Sequence, residues 1–285
     1  MNERVIQVRA YILFSLAVCA ALVWSVPYLT SAEGEMFTVT FLDVGQGDAI
    51  LIETPDGVEV LIDGGRNRGV LAELARALGP FDRTIDMVVA THPDADHIGG
   101  LVPVLERYDV STVLLTANES DTAVNDAFRT GVTGENAEVV YARAGQEFAL
   151  GASTTMSVLF PTTDPTHMES NASSIVVRIS YGETDILLTG DAPSSVERQL
   201  VDTYGASLKS EVLKAGHHGS RTSSDRGFVE VVAPVYGVIS AGADNSYGHP
   251  HEEVLDTLAL FDVEVLSTKD GAIELESDGI MVRVR

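Results

Sequence analysis

Residues 85–97 read Ile-Asp-Met-Val-Val-Ala-Thr-His-Pro-Asp-Ala-Asp-His, so that a short apolar run leads directly into a cluster of histidines and aspartates. The apolar part, Ile85–Ala90, predicts a buried strand. The cluster then lies in the loop at the carboxyl end of that strand, where α/β proteins place reactive groups. Neutral imidazoles and carboxylates suit Zn²⁺, Mn²⁺ or Fe²⁺. The spacing therefore predicts a site for one or two cations, with candidate ligands His92, Asp94, Asp96 and His97.

Apolar periodicity on both sides of this cluster predicts alternating strands and helices. Predicted strands cover Met36–Asp43, Ala49–Glu53, Val58–Ile62, Val110–Leu115, Thr154–Phe160, Ser174–Ser180, Asp185–Leu188, Glu211–Ala215, Val235–Ser240, Val263–Ser267, Ala272–Glu276 and Ile280–Val284. Predicted helices cover Val70–Leu78, Gly100–Arg107, Ala123–Arg129, Ser194–Tyr204, Asp225–Val232 and Glu252–Phe261. Hairpins followed by αβ units, in two halves, favour an α/β fold with two mixed sheets face to face and helices outside.

The N-terminus contains an uncharged stretch of 19 residues, Tyr11–Leu29. As a helix it would be roughly 28 Å long, close to the thickness of the hydrocarbon core of a bilayer. Arginines precede it and glutamates follow it, which predicts the N-terminus inside and the rest of the chain outside the cytoplasm. A retained single-pass anchor is the expectation. The alternative is a signal peptide cleaved after Thr30-Ser31-Ala32, which would leave a secreted protein.

This organisation divides the chain into an N-terminal anchor or signal peptide, residues 1–32, and one larger domain, residues 36–285. The net charge of −24 excludes a broad basic groove for nucleic acid. The single cysteine, Cys19, lies in the N-terminal apolar stretch. A metal in the larger domain must therefore be held by His, Asp, Glu or water.

The motif His92-x-Asp94-x-Asp96-His97 resembles the signature H-x-H-x-D-H of the metallo-β-lactamase superfamily, with Asp94 in place of the second histidine. With this replacement, the chain resembles the hydrolase domain of the ComEC/Rec2-type competence proteins from about Phe37 to its C-terminus. Further matching motifs are Asp43-Val44-Gly45-Gln46-Gly47-Asp48-Ala49, Leu61-Ile62-Asp63-Gly64-Gly65, Leu213-Lys214-Ala215-Gly216-His217-His218-Gly219-Ser220 and Tyr247-Gly248-His249-Pro250. The resemblance implies a four-layer αββα sandwich with metals at the edge of the two sheets.

The resemblance also implies roles for individual residues. His92 and Asp94 would bind a first metal, and Asp96 and His97 a second. Asp191 matches an aspartate that bridges both metals, although it could instead cap the helix that begins at Ala192-Pro193.

His217 matches the last metal-binding histidine, with His218 as the alternative ligand. His218 otherwise supports a ligand or contacts a substrate oxygen. His249 has three interpretations: it protonates a leaving group, holds a phosphate, or fixes a turn. Asp96, His218 and His249 are therefore the candidate catalytic residues.

One position departs from the superfamily pattern. The stretch Asn171-Ala172-Ser173-Ser174 stands where a histidine is common, and nearby His167 is expected to be solvated. Loss of an imidazole shifts the metal preference of the site toward ions that favour oxygen ligands. The expected cofactor is therefore one or two divalent ions, either Mn²⁺ or Zn²⁺. Asp48 or Asp63 is expected to orient a ligand histidine through its free ring nitrogen, and the glycines beside Asp48 form a turn.

These features favour a metal-dependent hydrolase, and the resemblance points to phosphodiesters of single- or double-stranded DNA during uptake. One candidate span cannot form a DNA channel alone, so a separate channel-forming protein is a candidate partner. The first alternative is a hydrolase of small esters, lactones or β-lactams. The second is a non-catalytic metal- or partner-binding module. The oligomeric state is not indicated.

Overall fold

The computed structural model describes residues 13–15, 18, 36–79 and 81–285. Residues 13–15 and 18 are helical, and most of the expected span and its cleavage site lie outside the described residues. Within the described part of the chain, no helix has both the length and the apolar character needed to cross a bilayer. The anchor and the signal peptide stay predictions. Met1–Glu35 and Met36–Arg285 form two separate units, and the second contains the fold described below.

Strands of alternating or continuous apolar residues form two mixed sheets. They are β1 (Phe37–Phe41), β2 (Ile50–Glu53), β3 (Glu59–Ile62), β4 (Thr84–Ala90), β5 (Asp109–Leu115), β6 (Glu138–Tyr141), β7 (Glu147–Leu150), β8 (Thr154–Phe160), β9 (Val176–Tyr181), β10 (Thr184–Leu188), β11 (Val212–Lys214), β12 (Tyr236–Ile239), β13 (Glu264–Ser267), β14 (Ile273–Ser277) and β15 (Val282–Val284). One sheet has the order β15-β14-β1-β2-β3-β4-β5-β6, and the other β13-β12-β11-β10-β9-β8-β7. In the first sheet β4 runs parallel to β5, and in the second sheet β10 and β12 both run parallel to β11.

Helices cover the outer face of each sheet. They are α1 (Val70–Ala77), α2 (Ala95–Ile98), α3 (Leu101–Leu105), α4 (Ala123–Gly134), α5 (Ser194–Tyr204), α6 (Arg226–Val232) and α7 (Glu252–Leu260). The buried side chains fall into three clusters, one between the sheets and one under the helices on each side. Burial of apolar area in three layers is the main force that holds this arrangement together. The expected α/β sandwich with helices outside is thus confirmed.

The region after β4 differs from the sequence interpretation. Asp96 and His97 lie not in a loop but in the single turn of α2, and Asp94 precedes that turn in extended conformation. The helix expected from Gly100 to Arg107 ends earlier, at Leu105. The bend between α2 and α3 follows from close packing, because a Cβ on Gly100 would lie 1.8 Å from the carbonyl oxygen of Gly64. Two ligand candidates are therefore fixed on a helical turn.

Smaller differences occur at element ends and in the middle of the chain. The helix expected to end at Arg129 continues to Gly134, and β6 and β7 fill the segment that periodicity left unassigned. The last strand begins at Val282 and not at Ile280, because Asp278 accepts hydrogen bonds from the backbone of Ile280 and Met281 in a turn.

Glu59 introduces a pH dependence into the first sheet. It pairs directly with Glu53 across β2 and β3, and burial, followed by Asp82, Glu53 and Asp86, raises its pKa to about 7. Because this exceeds the unfolded value of 4.5, the stability linked to Glu59 is present below pH 4.5 and is lost as the pH rises through about 7. Like charges directly opposite one another on a sheet are destabilising.

We expect Glu59→Gln to raise the melting temperature by about 2 °C at pH 8, and by less at pH 5.5. Differential scanning calorimetry at both pH values measures the effect. Glu230→Gln removes an exposed charge from α6 and is the control. An equal shift at the two pH values would contradict the assignment to Glu59 ionisation.

Candidate metal centre

Residues that follow β4, β10 and β11 meet at one edge of the sandwich. Asp191, after β10, lies with its Oδ1 3.3 Å from His97 Nε2 and its Oδ2 3.3 Å from His218 Nε2. The backbone N–H of Ile175 donates to the carbonyl of Thr91 and so links the two sheets beside this point. Strand ends from both sheets therefore converge on a single buried carboxylate.

Asp191 is the centre of the cluster. Its Oδ2 also lies 4.0 Å from His92 Nε2 and 3.7 Å from His217 Nε2. The suggestion that Asp191 caps α5 is wrong, because Pro193 holds the N-cap position and no side chain bonds there. Instead, one oxygen of the carboxylate, Oδ2, faces three buried or half-buried histidines, His92, His217 and His218.

Asp63 orients His97. Its Oδ2 lies 2.7 Å from His97 Nδ1, which turns His97 Nε2 toward Asp191. The same carboxylate accepts hydrogen bonds from the backbone N–H and the hydroxyl of Thr91, at 2.9 and 2.6 Å. The expected contact between Asp63 and a ligand histidine is present.

His217 and His218 form an unusual turn after β11. Both have left-handed backbone angles, with φ of 48° and 56°. Two successive non-glycine residues in this region are strained, and such strain persists where surrounding contacts impose it. The turn aims both rings at Asp191. His218 is buried and lies 3.7 Å from Asp96 Oδ2, whereas His217 is half-buried and lies within 3.5 Å of the Asn171 amide.

Asp94 and Asp96 lie on the solvent side of the cluster. The Oδ2 of Asp94 is 3.7 Å from His92 Nε2, and Ser170 donates to its Oδ1 at 2.6 Å. Their side chains are 40% and 19% exposed, so the centre opens to solvent on the side of these carboxylates. A substrate could approach from this side.

Lys214 was not among the candidates from the sequence. Its side chain is fully buried, and its ammonium contacts Asp48, lies 3.5 Å from Asp191 Oδ1 and donates to the Gly190 carbonyl at 2.8 Å. The sequence signal that could have identified Lys214 was its position at the end of a buried strand. Because lysine is almost never buried without a partner, this position indicates a buried carboxylate nearby. Asp48 also faces this cluster, with its Oδ1 3.3 Å from His218 Nδ1.

Gly47 allows Asp48 to take this place. Its φ is +118°, and a Cβ there would lie 2.0 Å from the carbonyl oxygen of Asp96. The turn before Asp48 therefore packs against the backbone of α2 and requires glycine.

The charges of the cluster shift several pKa values. Burial opposes protonation of His97 and His218, yet Asp191 with Asp63 raises the pKa of His97 well above its usual value. Asp191 with Asp48 likewise raises the pKa of His218 to about 9. Burial opposes ionisation of Asp191, but the two histidines hold its pKa well below the usual value. The carboxylates of the cluster therefore favour positive charge on the neighbouring imidazoles.

The donor set fits a divalent metal ion. Among the described residues, several buried polar atoms of the cluster have no hydrogen-bond partner, and each would cost about 1–3 kcal/mol if left so. These atoms are His92 Nε2, His97 Nε2, both ring nitrogens of His218, Asp191 Oδ1 and Asp48 Oδ1. Imidazole nitrogens and carboxylate oxygens that converge without hydrogen bonds are arranged as metal ligands are.

His249 lies on the rim. Its ring centroid is 5.6 Å from that of His217 and 5.7 Å from that of the exposed Tyr247. Burial, with the neighbouring histidines, lowers the pKa of His249 to about 4, so the ring is neutral at pH 7. His167, in contrast, is exposed as expected.

Comparisons with known proteins agree with this architecture. The profile of the metallo-beta-lactamase superfamily matches residues 42–243. The chain is 30% identical over 262 residues to ComE operon protein 3 of Bacillus subtilis (strain 168), covering 86% of this chain and 33% of that protein. It is 31% identical over 284 residues to competence protein ComA of Neisseria gonorrhoeae, covering 92% of this chain and 38% of that protein. The chain thus spans about a third of the length of these relatives.

A solved structure shares the fold. The metallo-beta-lactamase fold protein YhfI from Bacillus subtilis superposes with a TM-score of 0.53 at 15% identity, covering 82% of this chain and 98% of that chain. Together with the sandwich and its cluster at the strand ends, the profile match shows that the chain belongs to the metallo-beta-lactamase superfamily.

Proposed function

We propose that this chain is a metal-dependent phosphodiesterase that cleaves DNA strands, with the reaction centred on Asp191. The observation that carries the proposal is the convergence of four histidines on that one buried carboxylate. Similarity to competence proteins supports nucleic acid as the substrate class.

We assign two ligand sets that share Asp191. The first consists of His92, Asp94, Asp191 and His217, and the second of Asp96, His97, Asp191 and His218. His218 fits the second set because its Nε2 faces Asp96 and Asp191. A histidine is common in the superfamily at the stretch that begins with Asn171. The ring of His217 lies within 3.5 Å of the Asn171 amide, so His217 would supply an imidazole near that place. Zn²⁺ and Mn²⁺ both suit these ligands.

The residues of the chain then have distinct tasks. When bound, a divalent ion lowers the pKa of a water molecule and stabilises negative charge on a phosphoryl oxygen. The carboxylates of Asp191 and Asp96 would offset the positive charge of the metal. Asp63 orients the ring of His97, and Asp48 orients the ring of His218. His249 is neutral at pH 7, so it would donate one N–H hydrogen bond to a substrate oxygen and not act as an imidazolium acid.

The charge of the chain limits how the substrate binds. A net charge of −24 repels a polyanion at long range, so recognition depends on the metal centre and its rim. Similarity to competence proteins supports a separate channel-forming protein as a partner in the transport of DNA.

The test compares substrates on chelator-stripped protein reloaded with Mn²⁺ or Zn²⁺. We expect cleavage of single-stranded DNA and of bis-p-nitrophenyl phosphate, and a loss of at least about a hundredfold in Asp96→Ala. Asp202→Asn, an exposed carboxylate on α5, is the matched control and should keep its activity. Cleavage of the β-lactam nitrocefin alone would sink the proposal.

A further inference from the structure

Lys214 introduces a fixed positive charge into the carboxylate cluster. Its ammonium contacts Asp48 and lies 3.5 Å from Asp191 Oδ1, and its side chain has no exposure to solvent. Two carboxylates face this ammonium, and the Gly190 carbonyl accepts its hydrogen bond at 2.8 Å, so the charge is compensated in the interior.

This charge lies where a metal could otherwise bind. Asp48, His97, Asp191 and His218 each offer a ligand atom, and these atoms lie within 4.8 Å of one another. The Lys214 ammonium contacts both carboxylates of that group. A divalent ion bound by both would be repelled by the ammonium at short range.

We propose that Lys214 is a positioning residue that acts as an internal cation: it engages Asp48 and keeps that carboxylate out of the metal ligand sets. Asp48, held by Lys214, in turn orients His218 through its Nδ1. The inference rests on the proposed metal centre. It predicts that the affinity for metal falls when the Lys214–Asp48 pair carries a net positive charge and recovers when the pair is neutral, even without the Asp48 carboxylate.

The test is a double-mutant cycle on the full chain, with Mn²⁺ affinity measured by isothermal titration calorimetry after chelation. In Asp48→Asn the ammonium keeps Asp191 as its one anionic contact, so we expect Mn²⁺ affinity to fall at least about tenfold. In Asp48→Asn with Lys214→Met the pair is neutral again and the amide oxygen can still accept a hydrogen bond from His218 Nδ1, so affinity should return to within about threefold of wild type. Circular dichroism of each stripped protein monitors folding.

The double variant separates the two roles of Asp48. If Asp48 is a metal ligand, the double variant stays as weak as Asp48→Asn, and the inference is overturned. Lys214→Met alone leaves two buried carboxylates without their ammonium, so it is expected to bind Mn²⁺ more tightly than wild type by at least about threefold. If that single variant does not fold, the comparison of Asp48→Asn with the double variant still decides.

The two proposals fail in different ways. Mn²⁺ binding by wild type without cleavage of any phosphodiester would overturn the proposed function and leave the role of Lys214 standing. Cleavage by wild type together with a double variant as weak as Asp48→Asn would overturn only the role of Lys214. A wild-type protein that binds neither Mn²⁺ nor Zn²⁺ would overturn both.

Discussion

Substitution of Asp191 by asparagine is expected to lower phosphodiester cleavage by at least about a thousandfold and to reduce bound Mn²⁺. The carboxylate lies between the two proposed ligand sets, with three histidines near its Oδ2 and His97 near its Oδ1. Asparagine keeps the size of the side chain but removes the negative charge that both sets share. The loss should therefore exceed that of any variant confined to one set.

Two measurements check this expectation. The rate is followed with bis-p-nitrophenyl phosphate under saturating Mn²⁺, and the metal content is determined by elemental analysis after gel filtration. Asp202→Asn makes the same chemical change on an exposed surface and should leave both values unchanged. A variant of Asp191 that retains two equivalents of Mn²⁺ and more than a tenth of the activity would contradict a bridging role.

Asp63→Ala is expected to produce the largest loss of stability. The side chain is buried and holds three groups: the backbone N–H of Thr91, the hydroxyl of Thr91 and Nδ1 of His97. Their loss leaves a buried network without its acceptor, which costs about 3–5 kcal/mol in the free energy of unfolding. For a domain of this size, the melting temperature should fall by about 10 °C.

Thermal unfolding of the chelated protein measures this effect apart from metal binding. Asp202→Ala removes an exposed carboxylate as control and should change the melting temperature by less than about 2 °C. An Asp63→Ala variant as stable as this control would mean that the Thr91 and His97 contacts contribute little to the fold.

Much of the architecture follows from local pattern. Ile85–Ala90 is a strand because a continuous apolar run can be buried on both faces of a central strand. The His/Asp cluster after this strand lies at a strand end, and so do the candidate residues that follow β10 and β11. At such ends the chain exposes side chains beyond the sheet. The H-x-D-x-D-H motif, with the other motifs that resemble the superfamily, predicted a metal site and membership of the superfamily, and the profile match confirms the membership.

Details within the site depended on the backbone path. Sequence alone matched His217 to the final metal-binding histidine, whereas the structure brings His218 to Asp96 and His217 to Asn171. The difference arises from two successive left-handed residues, a conformation that residue type does not predict.

By itself, the sequence determined the α/β class, most of the strands, and the chemical types that gather at the strand ends, because these depend on periodicity over a few residues. Only the tertiary structure decided which of these groups meet. Lys214 and Asp48 belong to different sheets and are far apart in the chain, yet they pair in the interior. Their pairing depends on how the two sheets pack, and it determines where positive charge is already present and where a metal can bind.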